Sequence, residues 1–106
     1  MIDPARYETL AFERDGRVLT IRINLPERLN VVTERLHSEM SRVFLDAADD
    51  PESDVIVLTG AGQVFCAGGD LQWLADELEP GMPPFVGEAQ TMRRIVGSLL
   101  ECPKPV

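Results

Sequence analysis

The sequence predicts an α/β fold, and three observations along the chain lead to that expectation. Two segments rich in β-branched and aromatic residues, 7–13 and 18–23, flank Asp15-Gly16, a pair typical of tight hairpin turns. A stretch with helical spacing of apolar residues begins after Thr33, and a β-branched run follows at 55–58. Strand, strand, helix and strand in this order favour a sheet covered by helices.

Length and charge limit both the size and the partners of the protein. The chain has 106 residues, of which 44% are hydrophobic, so we expect one domain at most. The net charge of −8 disfavours nucleic-acid binding and adhesion to an anionic membrane, because both require clustered Lys and Arg. No apolar run reaches the roughly 20 residues of a membrane span, and the first residues lack the apolar core of a signal peptide. A cytoplasmic location is therefore expected.

The connection at 24–30 and the helix after it have clear local signals. Pro26 cannot donate a ladder hydrogen bond and restricts Leu25 to extended geometry, which predicts a non-helical connection. Thr33 is a suitable N-cap for a helix that continues to about Asp49. One side of that helix is apolar: Leu36, Met40, Val43, Phe44 and Ala47.

A strand that ends in a glycine-rich loop is the most informative part of the chain. The run 55–58, closed by Thr59 and Gly60, is typical of a strand covered on both faces. Asp70 then has the character of an N-cap for a helix at 71–78, with its apolar residues on one face. The glycines between them permit positive φ angles and close approach of a ligand to the backbone: Gly60, Gly62, Gly68 and Gly69.

This loop can bind negative charge through backbone N–H groups at the start of a helix. A phosphate-binding P-loop requires Lys and then Ser or Thr after its last Gly, but Asp70 and Leu71 follow Gly69. A dinucleotide-binding loop requires a third Gly where Phe65 stands. With an acidic Asp70 and no nearby basic side chain expected, transient charge on a carbonyl oxygen is favoured over a phosphate. A tight connection without any ligand is the alternative.

The cysteines and the single histidine do not form a metal or redox motif. Cys66 and Cys102 lie far apart without Cys-x-x-Cys spacing, so we expect two reduced, buried thiols. His37 is the only histidine, which excludes a site built from several histidines in this chain. Its predicted position beside the apolar face of the helix favours a solvated surface side chain. No metal site is predicted.

The C-terminal third predicts a loop, a helix and the approach to a further strand. Pro80, Pro83 and Pro84 end the preceding helix and predict a loop. A second amphipathic helix ends near Glu101 and has one apolar side: Ala89, Met92, Ile95, Val96, Leu99 and Leu100. The extended segment 103–106 resembles the lead-in to a strand. We therefore expect residues 1–106 to be the N-terminal part of one larger domain.

Taken in order, these motifs resemble the crotonase, or enoyl-CoA hydratase/isomerase, superfamily along nearly the whole chain. The resemblance rests on four stretches: the hairpin that enters Asn24-Leu25-Pro26 with Asn30 after it, the loop 58–62, the motif 65–71 and the terminal 103–106. It implies a crotonase-like spiral of strand-strand-helix units, incomplete in this chain, that binds acyl-coenzyme A thioesters. Family members form trimers and pairs of trimers, and many act in fatty acid metabolism.

The resemblance also implies roles for individual residues. Two backbone N–H groups of the family hold the thioester oxygen as it becomes an enolate, and Gly69 corresponds to the first of them. Coenzyme A enters as part of the substrate, and no separate cofactor is implied. The residues that would line the path of the thioester and of coenzyme A are Arg28, Leu29, Ala67, Gly68, Gly69, Asp70 and Leu71.

Two functional hypotheses remain open from the sequence. In the first, the chain belongs to an acyl-CoA-binding enzyme of the hydratase/isomerase type whose second N–H donor and acid/base carboxylates lie beyond residue 106. The 106 residues alone would then be inactive. In the second, the chain is a non-catalytic acyl-CoA-binding or assembly fragment, with exposed apolar helix faces covered by other copies or by further chain.

Overall fold

A three-stranded sheet forms the frame of the structure, a computed structural model in which residues 1–78 and 86–106 are described. Its strands are β1 (Leu10–Asp15), β2 (Val18–Ile23) and β3 (Val55–Gly60), in the spatial order β1-β2-β3. β1 pairs antiparallel with β2, and β3 pairs parallel with β2. Gly16 has φ 57°, as the tight turn between β1 and β2 requires, so the predicted hairpin is confirmed.

β1 begins three residues later than the sequence predicts. A 3₁₀ turn at Pro4–Arg6 precedes it, capped by the carboxylate of Asp3, which accepts a hydrogen bond from Ala5 N at 3.0 Å. The N–H groups of Glu8 and Thr9 then donate to the buried carboxylate of Glu39 rather than to a strand. A side chain from a distant helix thus takes the amides that a longer strand would have used.

Helix α1 (Glu34–Ala48) makes the crossover that the parallel pair β2 and β3 requires. Thr33 caps it as predicted, because the hydroxyl oxygen accepts a hydrogen bond from Leu36 N at 3.1 Å. The predicted apolar side of α1 packs on the sheet, with Met40 half-buried. The core contains Ile2, Tyr7, Leu10, Leu19, Ile21, Ile23, Leu36, Val43, Phe44, Ala47 and Ile56.

β3 is covered on one face only, which corrects the prediction of a strand buried on both faces. Ile56 is 1% exposed, whereas its neighbours Val55 and Val57 are 38% and 42% exposed. Successive side chains of a strand point to opposite faces, so Ile56 faces α1 and the core. Within the described residues no second layer covers the face that carries Val55 and Val57. An apolar run indicates that a strand tends to be buried, and the described residues cover one side of β3.

The other two helices are α2 (Leu71–Glu77) and α3 (Val86–Glu101). Ile95 and Leu99 of α3 pack against the core, while Met92 and Leu100 are exposed. The apolar side of α3 is therefore partly uncovered, as predicted, but that of α1 is not. The predicted loop at 79–84, together with Phe85, lies outside the described residues.

The terminal segment 103–106 lies beside the free edge of β3. Pro105 O accepts a hydrogen bond from Ile56 N at 2.9 Å, in agreement with the predicted approach to a strand. Lys104 Nζ donates to the carbonyl oxygens of Ala47 and Asp50 at 2.7 and 2.5 Å. A cation at the C-terminal end of a helix is favourable, so Lys104 fixes this segment to the end of α1.

The described residues lack both a membrane-spanning helix and a cluster of metal-ligating side chains. None of the helices there has the length and apolar character needed to cross a membrane. The same ranges contain no group of three or more His, Cys, Asp and Glu side chains that could hold a metal ion.

Candidate functional site

The first element of the candidate site is the connection from β2 to α1. The prediction of a non-helical segment is wrong here, because Pro26–Arg28 form one 3₁₀ turn. Proline is tolerated at the first position of a helical turn, where the N–H it lacks would have no partner. Leu29 and Asn30 then adopt the left-handed conformation, with φ 55° and 54°. The backbone of this connection consequently turns sharply just before α1.

Asn30 joins this connection to the loop after β3. Its side chain is fully buried, and its Oδ1 accepts a hydrogen bond from Leu25 N at 2.8 Å. Its Nδ2 donates to Ala61 O at 2.9 Å and to Val64 O at 2.7 Å. The resemblance included Asn30, but only the structure shows that one amide satisfies backbone groups of two separate loops.

Gly60 is required for this arrangement. A Cβ atom at position 60 would lie 2.4 Å from Phe65 O and 2.8 Å from Asn30 Nδ2. Both distances are too short for any side chain, and the first obstacle is backbone. The end of β3 therefore has to be a glycine if Asn30 is to reach Val64.

A short parallel ladder brings the motif 65–71 against the residues before α1. Ala67 N donates to Leu29 O at 3.1 Å, Val32 N to Gly68 O at 2.7 Å, and Asp70 N to Val32 O at 2.9 Å. Gly68 has φ 105°, a conformation that glycine adopts readily. These bonds hold the glycine turn at a fixed distance from the start of α1.

The N–H of Gly69 is left free by this ladder. Val32 pairs with Gly69 in a parallel bridge and uses the carbonyl of Gly68 and the amide of Asp70. In such a bridge the amide of the central residue points away from its partner, because polar groups alternate along an extended chain. In the part of the chain that the structure describes, Gly69 N–H donates to no backbone acceptor.

A cavity of about 410 Å³ lies beside this glycine. It lies within the usual size of small-molecule sites. A second cavity of about 220 Å³ shares Val32, His37 and Met92 with it. The walls of the larger cavity are formed by Val32, His37, Gly69, Trp73, Leu74, Glu88, Ala89 and Met92.

Asp70 starts α2 with an extended backbone, as predicted, but its side chain makes no capping hydrogen bond. Its Oδ1 accepts a hydrogen bond from Arg28 Nη2 at 2.9 Å. The sequence expectation that no basic side chain lies near the glycine turn is therefore wrong. Arg28 is distant in sequence, and the ladder between the two loops brings its guanidinium to Asp70.

The structure brings the seven predicted site residues into one region. Arg28 contacts Asp70, Leu29 pairs with Ala67, and Gly68 to Leu71 continue directly into α2. Leu29 and Leu71 are 55% and 81% exposed, so this side of the region is open to solvent. The apolar face predicted for α2 is correspondingly not buried at Leu71.

His37 corrects another prediction, because it is 5% exposed and not a surface side chain. Its ring lies 5.3 Å from that of Trp73 at a tilt of 53°. Burial lowers the pKa of His37, which favours the neutral imidazole. A position three residues before Met40 places His37 on the apolar side of α1, and this spacing could have indicated its burial.

Glu88 is a cavity residue that sequence reasoning did not single out. It lies in the first turn of α3 and lines the same cavity as Gly69. Burial, followed by the charges of Glu77 and Glu34, raises the pKa of Glu88. No local sequence pattern marks this residue, since the position of α3 relative to α1 decides what it faces.

Cys66 and Cys102 are free and half-buried.

A backbone donor at a glycine turn, placed beside a largely apolar cavity, defines a site suited to an apolar ligand that carries a carbonyl group. The chain belongs to the enoyl-CoA hydratase/isomerase family, whose model matches residues 13–106. The predicted crotonase-like α/β fold is confirmed, with part of that fold present in this chain.

Two relatives and one solved structure illustrate the likeness. A probable enoyl-CoA hydratase, echA8 of Mycobacterium bovis, is 37% identical over 70 residues, which are 66% of this chain and 27% of that protein. Another, echA14 of Mycobacterium tuberculosis, is 36% identical over 80 residues, or 72% and 31% of the two chains. The crystal structure of an enoyl-CoA hydratase/isomerase from Mycobacterium paratuberculosis matches with a TM-score of 0.85 and 32% identity, covering 94% of this chain and 40% of that one. The chain thus spans about a third of the length of these curated relatives.

Proposed function

We propose that the protein is an acyl-CoA-binding enzyme of the enoyl-CoA hydratase/isomerase type and that Gly69 N–H stabilises the enolate oxygen of its thioester. The observation that carries the proposal is the free amide of Gly69, bracketed by two occupied hydrogen bonds and adjacent to a cavity. The names of the relatives, which describe enoyl-CoA hydratases, support the same reaction class.

Negative charge on the thioester oxygen appears only as the reaction proceeds. The oxygen of a thioester carbonyl is neutral in the bound substrate and negative in the enolate. A donor that is already oriented stabilises the charge without the cost of reorganising water. The ladder to Val32 holds the amide of Gly69 in this way, because the residues on both sides of it are hydrogen-bonded.

The remaining predicted residues would accommodate coenzyme A, which is part of the substrate, and no separate cofactor is proposed. Gly68 and Ala67 would line the thioester with their backbone, since neither carries a side chain that would block it. Leu29 and Leu71 are exposed and offer apolar surface to the pantetheine chain. Arg28 and Asp70 would lie at the entrance to the site, where their ion pair is half-exposed.

The second oxyanion donor and the acid/base carboxylates would then lie in a region that corresponds to the part of the relatives not matched by this chain. In that arrangement the protein would be a homotrimer or a hexamer in the cytoplasm. The exposed valines of β3 and the exposed side of α3 support such an assembly, because apolar surface of this kind is favourable to cover.

Two substitutions at position 69 test the role of the amide in the natural gene product. Gly69→Pro removes the N–H, whereas Gly69→Ala keeps it and places a Cβ 2.9 Å from the flexible end of Leu74. We expect Gly69→Pro to lower kcat for a 2-enoyl-CoA by about 10²–10³-fold. The alanine variant should retain most of the activity.

Thermal unfolding and acyl-CoA affinity, measured on both variants, separate loss of catalysis from loss of folding. If Gly69→Pro folds, binds acyl-CoA and turns over at the native rate, the assignment of the oxyanion donor is wrong. Measurable hydration by residues 1–106 alone would contradict the assignment of the acid/base groups to a region outside them.

A non-catalytic acyl-CoA-binding or assembly fragment is the second candidate. The uncovered apolar residues of α3, among them Met92 and Leu100, favour it. The two candidates differ in the behaviour of residues 1–106 in solution. A cooperatively folded monomer, seen by light scattering and thermal melting, would count against the assembly fragment.

A further inference from the structure

His37 lines the cavity beside Gly69 and has unused hydrogen-bonding capacity among the described residues, as does Trp73, whose buried Nε1 has no partner there. Only 5% of the surface of His37 is exposed, and the residue lines both cavities. Its backbone N–H is bonded within α1, to Thr33 O at 2.9 Å. Among the described residues, no side-chain hydrogen bond is made by either ring nitrogen.

Packing alone does not account for His37. The contact with the ring of Trp73 satisfies the faces of the imidazole, and a phenylalanine would make it equally well. A neutral imidazole carries one N–H donor and one nitrogen acceptor. Neither ring nitrogen of His37 is a fully buried atom without a partner, so a ligand atom in the cavity can approach one of them and form a hydrogen bond.

The charge around the cavity restricts what that ligand group can be. Glu88 lines the cavity, and Glu77 and Glu34 lie close enough to raise its pKa after the effect of burial. A carboxylate placed there would be repelled by these groups. A hydroxyl group is uncharged and can both accept and donate a hydrogen bond, as the neutral imidazole can.

We propose that His37 is a specificity-determining residue that hydrogen-bonds a hydroxyl group on the acyl chain, distal to the carbons that react. The proposal rests on the proposed function, because it takes the cavity beside Gly69 as the acyl-binding site. The rest of the cavity wall is largely apolar and accepts the hydrocarbon part of the chain: Val32, Leu74, Ala89 and Met92.

Calorimetry on the natural gene product with three saturated, unreactive ligands of equal chain length tests this selectivity. The ligands are hexanoyl-CoA, 6-hydroxyhexanoyl-CoA and adipoyl-CoA, which end in a methyl, a hydroxyl and a carboxylate. We expect the hydroxyl ligand to bind about 2- to 10-fold more tightly than hexanoyl-CoA, the range that one net hydrogen bond provides. Adipoyl-CoA should bind more weakly than either.

Variants of one residue identify the group responsible. His37→Phe keeps an aromatic ring against Trp73 and should abolish the preference for the hydroxyl ligand over hexanoyl-CoA. His37→Gln keeps a donor and an acceptor and should retain part of the preference. Ser38→Ala, at an exposed position of the same helix, serves as the control and should bind all three ligands like the native protein.

The outcomes separate this inference from the function on which it rests. Binding of hexanoyl-CoA without any preference for the hydroxyl ligand overturns the role of His37 and leaves the proposed function standing. A preference that persists in a folded His37→Phe protein also overturns it, as does tighter binding of adipoyl-CoA. Failure of all three ligands and of coenzyme A to bind overturns both proposals.

Discussion

Arg28 and Asp70 join the two loops that form the candidate site. They are separated by 42 residues in sequence, and Arg28 Nη2 lies 2.9 Å from Asp70 Oδ1. The side chain of Arg28 is about half exposed and that of Asp70 less so. The pair therefore adds charge complementarity to a junction that the backbone ladder and Asn30 already fix.

Because water and salt screen the Arg28–Asp70 pair, we expect its contribution to stability to be small. A double-mutant cycle with Arg28→Ala and Asp70→Ala should give a coupling free energy of about 1 kcal/mol or less. Urea unfolding of the four proteins at two salt concentrations measures it. A coupling of about 3 kcal/mol or more would show instead that the pair holds the loops together.

Asn30 should be far more important for the same junction. Replacement by Ala leaves Leu25 N–H and the carbonyls of Ala61 and Val64 without their partner, and each such partly buried group costs up to about 1–3 kcal/mol. We expect Asn30→Ala to lower the free energy of unfolding in urea by about 3 kcal/mol or more. Asn24→Ala, at an exposed position, is the control and should change it by less than about 0.5 kcal/mol. Equal effects of the two changes would refute this role.

Glu39 connects α1 to the start of β1 with a fully buried carboxylate. It accepts hydrogen bonds from the N–H groups of Glu8 and Thr9 and from the Thr9 hydroxyl at 2.8 Å. Glu39→Gln replaces one acceptor by an NH₂ group that faces donors, and we expect a loss of about 2–4 kcal/mol. Exposed Glu27→Gln provides the matched control in the same urea experiment. A stability unchanged in Glu39→Gln would be incompatible with the observed contacts.

Asp50 should make the stability of the protein depend on pH in the acid range. Burial opposes its charge, but the hydrogen bond from Arg14 Nη1 at 2.9 Å, followed by the effect of neighbouring Ser53, lowers the pKa of Asp50 from 3.8 to about 2. Because the pKa is lower in the folded state, the stabilisation that ionised Asp50 provides is complete above about pH 3.8. It disappears as the pH falls towards 2. Its size is on the order of 2 kcal/mol.

Asp50→Asn provides the measurement for this pH dependence. The difference in unfolding free energy between the native protein and Asp50→Asn should decrease between neutral pH and about pH 2.5. Glu52→Gln, an exposed neighbour whose carboxylate is 3.9 Å from Arg14, is the control and should show a smaller change. A difference that stays constant with pH would mean that Asp50 is not the titrating group.

Local signals account for the parts of the fold that were predicted well. The Asp15-Gly16 turn, the Thr33 cap and the ends of β3 are each set by residues within a few positions of one another. Two of the mistakes occur where a distant group intervenes. Glu39 takes the amides of Glu8 and Thr9, and Arg28 reaches Asp70.

In the glycine turn, too, local sequence predicts some properties and contacts with distant residues decide others. The composition of 60–70 predicted a backbone suited to close approach of a ligand, and the order of the motifs predicted the family and its fold. The sequence could not show that the described residues leave Gly69 N–H free, because this follows from the pairing of Gly68 and Asp70 with Val32.

The sequence by itself determined the α/β class, the hairpin, the limits of α1 and the family, since turn chemistry, capping and periodicity act over short distances. Only the tertiary structure decided that His37 and Glu88 face one cavity, that Asn30 joins two loops and that one face of β3 stays open. These properties depend on how α1 and α3 pack on the sheet, and packing brings together residues whose spacing along the chain carries no such information.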